Sequence, residues 1–242
     1  MKNADLWRES IVSGNVSNLQ PTRKVGAHSW LAMRRLLDWH QKNLARYLGG
    51  RLLDLGCGDV PYYGSFKQYV TEWYCVDWPN SPHKNLHTDL NWDLARPLPI
   101  EDSTFDTVLL LESLEHQIDP AATLAEAARL LKPGGHLIVT IPFMYFLHEE
   151  PFDFVRLTRH ALRIYAQNAR LTVVSLEERG GLLEVLADTS SKALVSGGTL
   201  GRISARVLQR IVYGFSRTPI GNRISCSTGK AIPLGYVMIC KK

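Results

Sequence analysis

The sequence predicts an α/β fold in which one doubly wound sheet forms a single domain. Short apolar runs recur along the chain, and several of them end in a glycine or an acidic residue, as buried parallel strands do. Helical patterns separate these runs, and strands that alternate with helices imply right-handed crossovers within one sheet. A chain of 242 residues that is 45% hydrophobic can bury one sizeable core.

Predicted helices and strands alternate from residue 30 onward. Apolar residues recur at helical spacing over 30–48, and Gly49 and Gly50 are a strong stop signal for that helix. Asp119 is a suitable N-cap for a second helix, which begins at a proline and is closed by "KPGG". Thr158 is a suitable cap for a third helix, "RHALRIYAQNA". The predicted strands lie at 51–56, 73–77, 105–113, 135–143, 171–178 and 234–240.

Charge is distributed unevenly along a chain whose formal net charge is +5. Residues 1–50 carry 8 basic and 3 acidic side chains, residues 51–178 carry 10 and 18, and residues 179–242 carry 10 and 2. The basic flanks indicate either an acidic partner surface or simply solvated faces.

The segment from about 182 to 231 has no strand pattern. One helical face within it carries Leu200, Ile203, Val207, Ile211 and Phe215, and another face carries Arg202, Arg206 and Arg210. This pattern fits a helix that rests on an anionic membrane surface. It fits equally a helix that packs across the sheet and shows its arginines to water.

The N-terminal 20 residues are polar and of mixed charge, which is unlike a signal peptide, and no apolar run approaches the roughly 18 residues of a membrane span. The four cysteines lack metal-ligand spacing. These features predict a cytoplasmic protein with reduced thiols. Contact with the inner face of the membrane, through the basic C-terminal helix, is an additional hypothesis.

A glycine loop follows the first core strand in "LLDLGCGDVPYY". Gly56 and Gly58 allow a tight turn and a close approach of the backbone to a ligand. A dinucleotide fingerprint would have a third glycine where this chain has Pro61, and proline removes an N–H that a pyrophosphate could use. This argues against a nicotinamide oxidoreductase.

Acidic residues follow the next strands. Asp77 ends the second strand, where its carboxylate can accept hydrogen bonds from two ribose hydroxyls, and Trp78 offers a flat face for an adenine ring. Asp89 lies at the following strand edge, suited to receive the exocyclic amine of that adenine. Ligands of open α/β sheets bind at this carboxyl edge.

The ordered set "LLDLGCGD", "VDW", "TDL", "LPIEDSTFDTVLLLESLEH" and "ARLLKPGGHLIVTIPF" resembles the class I S-adenosylmethionine-dependent methyltransferases of the group with LEH and LKPGG signatures. The resemblance covers roughly residues 50–178. It implies a Rossmann-like seven-stranded mixed sheet with helices on both faces, whose last strand is antiparallel and lies beside the fifth. An N-terminal helical lid, 1–49, would precede a methyltransferase domain, 50–242, with a helical insertion at about 182–231.

The resemblance also implies S-adenosylmethionine as cofactor. Asp54, Gly56 and Gly58 would line the methionine moiety, Asp77 would hold the ribose, and Asp89 with the backbone of Leu90 would read the adenine. Pro61 is tolerable in this reading because the cofactor has no pyrophosphate. The residues predicted to bind the cofactor are Asp54, Gly56, Cys57, Gly58, Asp77, Trp78, Asp89, Leu90 and Glu112.

The loop "FLHEEPFDFVRLTRH", residues 146–160, is predicted to face the cofactor with the acceptor site. His148 is the first candidate for general base because its ordinary pKa is nearest neutral pH. Further catalytic candidates are His116, Glu149 and Asp153, and predicted substrate-binding residues are Tyr145, Phe152, Arg156 and Arg159. Alternatively, Asp153 and Arg156 only pair to shape the loop, Phe154 only seals the core, and His116 is structural. No metal site is predicted, since His148, Glu149 and Asp153 lack ordered ligand spacing.

"LHEEPFDFVRLT" resembles a loop of methyltransferases from bacterial surface-polysaccharide and related gene sets, which implies O-methylation of a sugar or a similar polyhydroxylated acceptor. The predicted function is therefore transfer of a methyl group to a hydroxyl of a small-molecule or glycan acceptor. Two alternatives remain: a nucleic-acid methyltransferase, and a module that binds the cofactor without turnover. No nucleic-acid partner is expected, because the chain reads "LESLEH" where base-amino methyltransferases carry an N-P-P-Y or D-P-P-Y motif.

Overall fold

The computed structural model describes residues 29–81 and 88–242. Its centre is a seven-stranded mixed sheet with the strand order β3-β2-β1-β4-β5-β7-β6. The strands are β1 Arg51–Leu55, β2 Glu72–Asp77, β3 Leu90–Asn91, β4 Phe105–Leu111, β5 Leu131–Pro142, β6 Thr172–Arg179 and β7 Gly235–Lys241. Strands β1 to β5 pair in parallel, and β7 lies antiparallel between β5 and β6. The predicted Rossmann-like sheet, including its antiparallel last strand, is confirmed.

Seven α-helices pack around this sheet among the described residues: α1 Trp30–Asn43, α2 Tyr63–Phe66, α3 Pro120–Leu130, α4 Arg159–Asn168, α5 Leu182–Val195, α6 Gly198–Ser216 and α7 Pro219–Gly229. The predicted caps are in place, since Asp119 accepts a hydrogen bond from the Ala122 amide and Thr158 accepts one from the Ala161 amide. Helices therefore begin where short polar side chains can satisfy free N–H groups.

Two apolar clusters cover the two faces of the sheet. On one face α3 and α4 bury Leu124 and Leu162 against the β4 and β5 side chains. On the other face α1 and α2 bury Leu36 and Phe66 beside Trp73 of β2. Helices thus lie on both faces, as predicted, and they bury the central strands, whereas the edge strand β6 stays partly exposed.

Strand β5 begins at Leu131, four residues before the predicted start. The "KPGG" segment lies inside the strand as an irregularity, because the register with β4 shifts between the pair Phe105–Leu131 and the pair Thr107–His136. Gly134 has a φ of +83°, and a Cβ on Gly135 would lie 2.8 Å from the Asp106 carbonyl oxygen. The two glycines that predict a turn therefore permit a bulged start of the strand.

The helix predicted near the N-terminus is present but shorter than expected. The predicted helix over 30–48 is shorter as an α-helix and ends at Asn43, with a 3₁₀ turn over Leu44–Arg46. The remainder of the predicted lid, residues 1–28, lies outside the described residues, and the boundary at residue 49 stays a prediction.

The segment predicted to be helical, about 182–231, contains α5, α6 and α7. Across the described part of the chain, no helix is long and apolar enough to cross a membrane.

Candidate active site

A cavity of about 690 Å³ lies at the carboxyl ends of β1, β2 and β4. Parallel strands that share an edge bring their following turns together, so three distant sequence segments meet here. The segment after β5 and the start of α1 form the opposite wall. The lining residues include Asp54, Gly56, Cys57, Gly58, Asp77, Trp78, Glu112, His116, Tyr145, His148, Glu149 and Phe152.

The turn after β1 brings the backbone close to a ligand space. Gly56 has a φ of +74°, and a Cβ there would lie 2.5 Å from the Ser113 Cβ. The Gly56 and Cys57 amides both donate to the Val76 carbonyl oxygen, and the Ser113 hydroxyl donates to the Leu55 carbonyl oxygen. This turn is therefore locked to both neighbouring strands, and only glycine fits at position 56.

Two buried carboxyl groups lie beside this turn. Asp54 and Asp77 are 5% and 7% exposed, and both line the cavity. Burial, and to a lesser extent the charge of Asp77, raises the pKa of Asp54 to about 8. Asp77 accepts a hydrogen bond from the Trp78 amide at 2.8 Å. Two acidic groups with so little water around them favour a ligand that brings positive charge and hydroxyl donors.

An aromatic wall adjoins Asp77. The rings of Trp78 and Phe152 meet edge to face with centroids 4.8 Å apart, and both line the cavity. Trp78 comes from the turn after β2, whereas Phe152 comes from the segment after β5. The predicted cofactor side and the predicted acceptor side are therefore in direct contact.

Asp89 and Leu90 lie outside the lining of the cavity as far as the chain is described. The Asp89 carboxylate accepts a hydrogen bond from the Cys75 amide at 2.8 Å, and the Asp89 amide donates to the Cys75 carbonyl oxygen at 2.9 Å. Asp89 thus fastens the start of β3 to β2. Its predicted contact with adenine, and that of the Leu90 backbone, stay predictions.

Glu112 and Arg179 form an ion pair at the cavity, in which Arg179 is buried and Glu112 is partly exposed. Glu112 follows β4 with a φ of +52°, and its carboxylate accepts a hydrogen bond from Arg179, the last residue of β6, at 2.9 Å. Within the described residues, Glu112 Oε1 and Arg179 Nε are buried without a hydrogen-bond partner. Buried polar atoms without partners are costly, so this pair retains capacity for a polar ligand group.

The loop predicted to face the cofactor is held by Asp153. Its side chain is 1% exposed, and it accepts hydrogen bonds from Arg156 at 2.5 and 2.7 Å and from the His148 amide at 3.0 Å. These donors outweigh burial and lower the pKa of Asp153. Neither Asp153 nor Arg156 lines the cavity. The structural alternative, a pair that shapes the loop, therefore describes Arg156 better than substrate binding does.

His148 is oriented by the same carboxylate. Its Nδ1 hydrogen-bonds to the Phe146 carbonyl oxygen at 3.3 Å and lies 3.1 Å from Asp153 Oδ2, and since both oxygens only accept, Nδ1 carries the proton. The unprotonated Nε2 lies 3.9 Å from Glu115 Oε1 inside the cavity wall. Burial lowers the pKa of His148, and the charge of Asp153 opposes this only in part. His148 is therefore a neutral imidazole with a free lone pair at neutral pH.

A second imidazole lies beside the first. The rings of His116 and His148 are 5.0 Å apart, and His116 Nδ1 lies 2.7 Å from the Phe152 carbonyl oxygen, to which it donates. His116 Nε2 lies 3.9 Å from Glu115 Oε1 and 3.8 Å from Glu149 Oε2. Both imidazoles thus direct Nε2 towards one buried carboxyl group.

Glu115 is that carboxyl group. It is 0% exposed, and neither of its oxygens has a hydrogen-bond partner within the described chain. Burial and the neighbouring charge of Glu112 raise the pKa of Glu115 well above its ordinary value. The donor atoms of Glu115, His116 and His148 lie within 4.8 Å of one another, a nitrogen and oxygen set of a kind that also binds divalent cations.

Arg159 does not reach the cavity. It is the first residue of α4, pairs with Glu178 of β6 at 2.7 Å and donates to the Lys230 carbonyl oxygen. The structure therefore does not bring Arg159 to the cavity lining, and its role in substrate binding stays a prediction. A helix starting at 159 turns this guanidinium towards β6 and the end of α7.

Tyr145 does line the predicted acceptor side. Its hydroxyl lies 3.0 Å from the Ser29 hydroxyl, and the Lys192 ammonium lies 3.7 Å from the centre of its ring. Burial raises the pKa of Tyr145, so its phenol stays protonated. Phe154 is 43% exposed and also lines the cavity, so the alternative that it only seals the core is wrong.

Comparison with known proteins identifies the family. Residues 28–180 match the model of a family described as a methyltransferase domain. The chain belongs to the class I S-adenosylmethionine-dependent methyltransferases.

Curated relatives of this methyltransferase have related names. The chain is 33% identical to a ubiquinone biosynthesis O-methyltransferase of Alkalilimnicola ehrlichii over 112 residues. This alignment covers 42% of the chain and 45% of the relative. The chain is 34% identical to 27-O-demethylrifamycin SV methyltransferase of Amycolatopsis mediterranei over 151 residues. This alignment covers 54% of the chain and 51% of the relative. The chain spans about half the length of the curated relatives it matches.

A solved structure supports the fold of this methyltransferase over its whole length. A SAM-dependent methyltransferase from Archaeoglobus fulgidus superposes with a TM-score of 0.54, at 17% identity, and the match covers 100% of both chains. At this identity the likeness shows the fold alone.

The residues of this methyltransferase fit the cofactor of its family. The missing Cβ of Gly56 leaves space at the turn, and the carboxyl groups of Asp54 and Asp77 match a ligand with an ammonium, a sulfonium and ribose hydroxyls. The Trp78 ring supplies an aromatic face on the same side. Asp54, Gly56, Asp77, Trp78 and Glu112 are therefore the residues that would hold S-adenosylmethionine.

Sequence reasoning did not identify Glu115 and Arg179 as site residues. Glu115 is the middle residue of "LEH", a motif in which only His116 was predicted to take part in catalysis. Arg179 ends a strand in "SLEER", a pattern typical of any exposed strand end. A buried charge at a strand end is recognisable only once the strand order places β6 beside β7 and near β4.

Proposed function

We propose that this methyltransferase moves a methyl group from S-adenosylmethionine to a hydroxyl oxygen of a small-molecule acceptor, with His148 as the general base. The observation that carries the proposal is the orientation of His148. The Phe146 carbonyl oxygen and Asp153 hold the proton on Nδ1 and leave Nε2 unprotonated, next to Glu115, on a residue that lines the cavity. A base in this state can take a proton from a bound hydroxyl without first losing one of its own.

The chemistry needs little more than orientation and a base. When bound, the cofactor supplies a methyl group on a positively charged sulfur, which an oxygen lone pair can attack in line. The chain supplies the Gly56 turn, the Asp77 carboxylate and the Trp78 ring on one side, and the Phe152 ring and the His148 imidazole on the other. These residues hold the reactants in contact and exclude water, which accounts for most of the rate gain in such a displacement.

The remaining polar groups support proton removal in this proposal. A proton accepted by His148 Nε2 would arrive 3.9 Å from Glu115 Oε1, and His116 leads from there to Glu149, which is partly exposed. Tyr145 and Phe152 would contact the acceptor. Two curated relatives are named as O-methyltransferases of small molecules, which favours a hydroxyl acceptor. The loop resemblance favours a polyhydroxylated or glycan acceptor within that class.

The test is a transfer assay with labelled methyl groups. The full chain would be incubated with the labelled cofactor and separate pools of phenolic compounds, sugars and glycans, and RNA. Label in a hydroxyl of a compound from the first two pools, retained in the presence of a metal chelator, is the expected result. Label that enters RNA would replace the proposal with a nucleic-acid methyltransferase. Tight cofactor binding without transfer to any pool would favour a binding module.

A further inference from the structure

The outer face of helix α6 carries a continuous row of exposed apolar side chains. Leu200, Ile203, Val207, Ile211 and Phe215 are 78%, 50%, 49%, 64% and 42% exposed. Their spacing of three or four residues places them along one side of the helix, and they are called the α6 stripe below. Contiguous apolar surface of this kind indicates an interaction site, whereas single exposed apolar residues need no explanation.

The face of α6 that packs on the protein is the opposite one. Its buried residues are Ala205, Gln209 and Ser216, which are small or polar. A helix that served only as core packing would turn its large apolar residues inward. In α6 the large apolar residues face outward, so this helix does not pack across the sheet through its apolar face.

Exposed basic residues accompany the stripe in α6 and in the following helix. Residues 198–231 contain six basic side chains and no acidic one, and the basic residues are exposed: Arg202, Arg206, Arg210, Arg217, Arg223 and Lys230. In the following helix, α7, Ile220 and Ile224 are also exposed, at 69% and 37%. Such a surface attracts negative charge and carries apolar side chains that water does not favour.

We propose that the α6 stripe and its arginines dock this methyltransferase on an anionic lipid bilayer. A bilayer accepts both features at once, because apolar side chains enter the acyl boundary and arginines remain among the phosphate headgroups. A second copy of the same face would bring six cations against six cations, which disfavours self-association through this surface.

Helix α6 packs on a wall of the cavity through the face opposite the stripe. Gln209 of α6 accepts a hydrogen bond from the Leu31 amide at 2.8 Å, and Tyr213 contacts the Trp30 ring with centroids 5.3 Å apart. The same helix α1 lines the cavity through Ala32 and Met33. A bilayer at the stripe would therefore lie one helix diameter, about 10–12 Å, from the α1 wall, so an acceptor with a lipid-soluble part could reach the cavity from the membrane.

The test measures binding to vesicles and does not depend on turnover, so it can succeed or fail separately from the proposed function. The full chain would be sedimented with vesicles of phosphatidylcholine alone and of phosphatidylcholine with 30% phosphatidylglycerol, a fraction of roughly the size that cytoplasmic leaflets carry. Binding to the anionic vesicles, weakened by salt, is expected. Equal binding to both vesicle types would overturn the electrostatic part of the proposal.

Matched variants separate the stripe from general hydrophobicity. The double variant Ile203→Ser and Val207→Ser should weaken vesicle binding at least about tenfold, because both side chains lose their insertion into the acyl boundary. The control Ile164→Ser with Val174→Ser changes residues that are 54% and 48% exposed but lie on α4 and β6, and should bind as the parent does. Equal loss in both double variants would contradict docking through α6.

The arginines have their own prediction. Arg206→Gln and Arg210→Gln should each weaken binding to anionic vesicles about fivefold at low salt, with less effect at high salt. Circular dichroism and cofactor affinity would verify that all variants fold. Two results would overturn the proposal: absence of vesicle binding by the full chain, as expected if another segment covers the stripe, and a stripe-dependent dimer in sedimentation velocity without lipid binding.

Discussion

The cavity has one wall made of strand ends and a facing wall made of the long segment after β5. The first wall holds Asp54, Gly56 and Asp77 on backbone that is hydrogen-bonded within the sheet. The second holds His148 and Phe152 on a loop whose shape depends on the Asp153–Arg156 pair and on amides that bond to the Glu115 carbonyl oxygen. The cofactor wall is therefore part of the fold, whereas the acceptor wall is fastened to it by a few polar contacts.

This difference has a consequence for mutation. Changes on the cofactor wall should alter cofactor affinity and stability together, because the same atoms serve both. Changes on the acceptor wall should alter turnover while leaving the sheet intact.

The largest expected effect is on the acceptor wall. His148→Ala should lower kcat about 10²- to 10⁴-fold, because the acceptor hydroxyl loses its base, while the Kd for S-adenosylmethionine stays within about threefold. Steady-state kinetics and calorimetry measure the two quantities. His160→Ala is a matched control, since His160 is exposed on α4 and lies outside the cavity lining. Full activity of the His148 variant would remove it as the base.

On the cofactor wall, Asp77→Ala should weaken cofactor binding at least about 100-fold, because charge-assisted hydrogen bonds to the ribose are lost. The circular dichroism spectrum should stay that of the parent. Calorimetry of the purified variant tests this directly, and an unchanged affinity would show that the cofactor lies elsewhere in the cavity.

The Gly56 turn should respond strongly to one added carbon. Gly56→Ala should lower the free energy of unfolding by about 2–4 kcal/mol, since left-handed strain adds to the contact with Ser113. Gly134→Ala isolates the strain, because Gly134 has a φ of +83° and open space around its Cβ position. That control should cost about 1 kcal/mol in urea unfolding. Equal costs for the two variants would mean that the close approach at Gly56 is unimportant.

Asp54 predicts a pH effect on stability. Its folded-state pKa of about 8 lies above its ordinary value of 3.8, so the folded protein keeps a proton that the unfolded chain releases. The contribution of Asp54 to stability is full below about pH 4 and is lost as pH rises towards 8. Asp54→Asn should therefore stabilise the protein more at pH 8 than at pH 5 in thermal unfolding. A gain that is equal at both pH values would contradict the raised pKa.

The smallest expected effect concerns Arg159. Arg159→Ala should change KM and kcat less than about threefold, because its guanidinium contacts Glu178 and not the cavity. Loss of this half-exposed pair should cost no more than about 1 kcal/mol. A large rise in KM in steady-state assays would restore Arg159 to the substrate site.

The contrast between the walls also explains what the sequence could predict. The strands, the caps at Asp119 and Thr158 and the glycine turn depend on local patterns, and the structure contains them. Arg179 joins the site only because the folded sheet lets its side chain, at the end of β6, reach Glu112 after β4. Glu115 joins it only because the turn after β4 is buried beside His116 and His148. Composition placed Arg159 in the loop, but the direction of its side chain, towards Glu178 and away from the cavity, depends on where α4 begins.

The same limit applies to α6. Its two faces were visible in the sequence as an apolar row and an arginine row. Which of them meets the protein depended on the small residues Ala205 and Ser216, whose significance appears only when α6 is packed against its neighbours. Periodicity thus identifies a helix and its faces without fixing which face is buried.

The insertion that contains α5, α6 and α7 leaves and re-enters the sheet at one place. Arg179 at the end of β6 pairs with Gly235 at the start of β7, and the Leu234 amide donates to the Arg179 carbonyl oxygen at 3.0 Å. About fifty residues therefore leave and return through adjoining positions, so the pairing of β6 with β7 does not depend on how long the segment between them is. Replacement of this segment during evolution could therefore change the surface that the enzyme binds, while the sheet and its cavity stay the same.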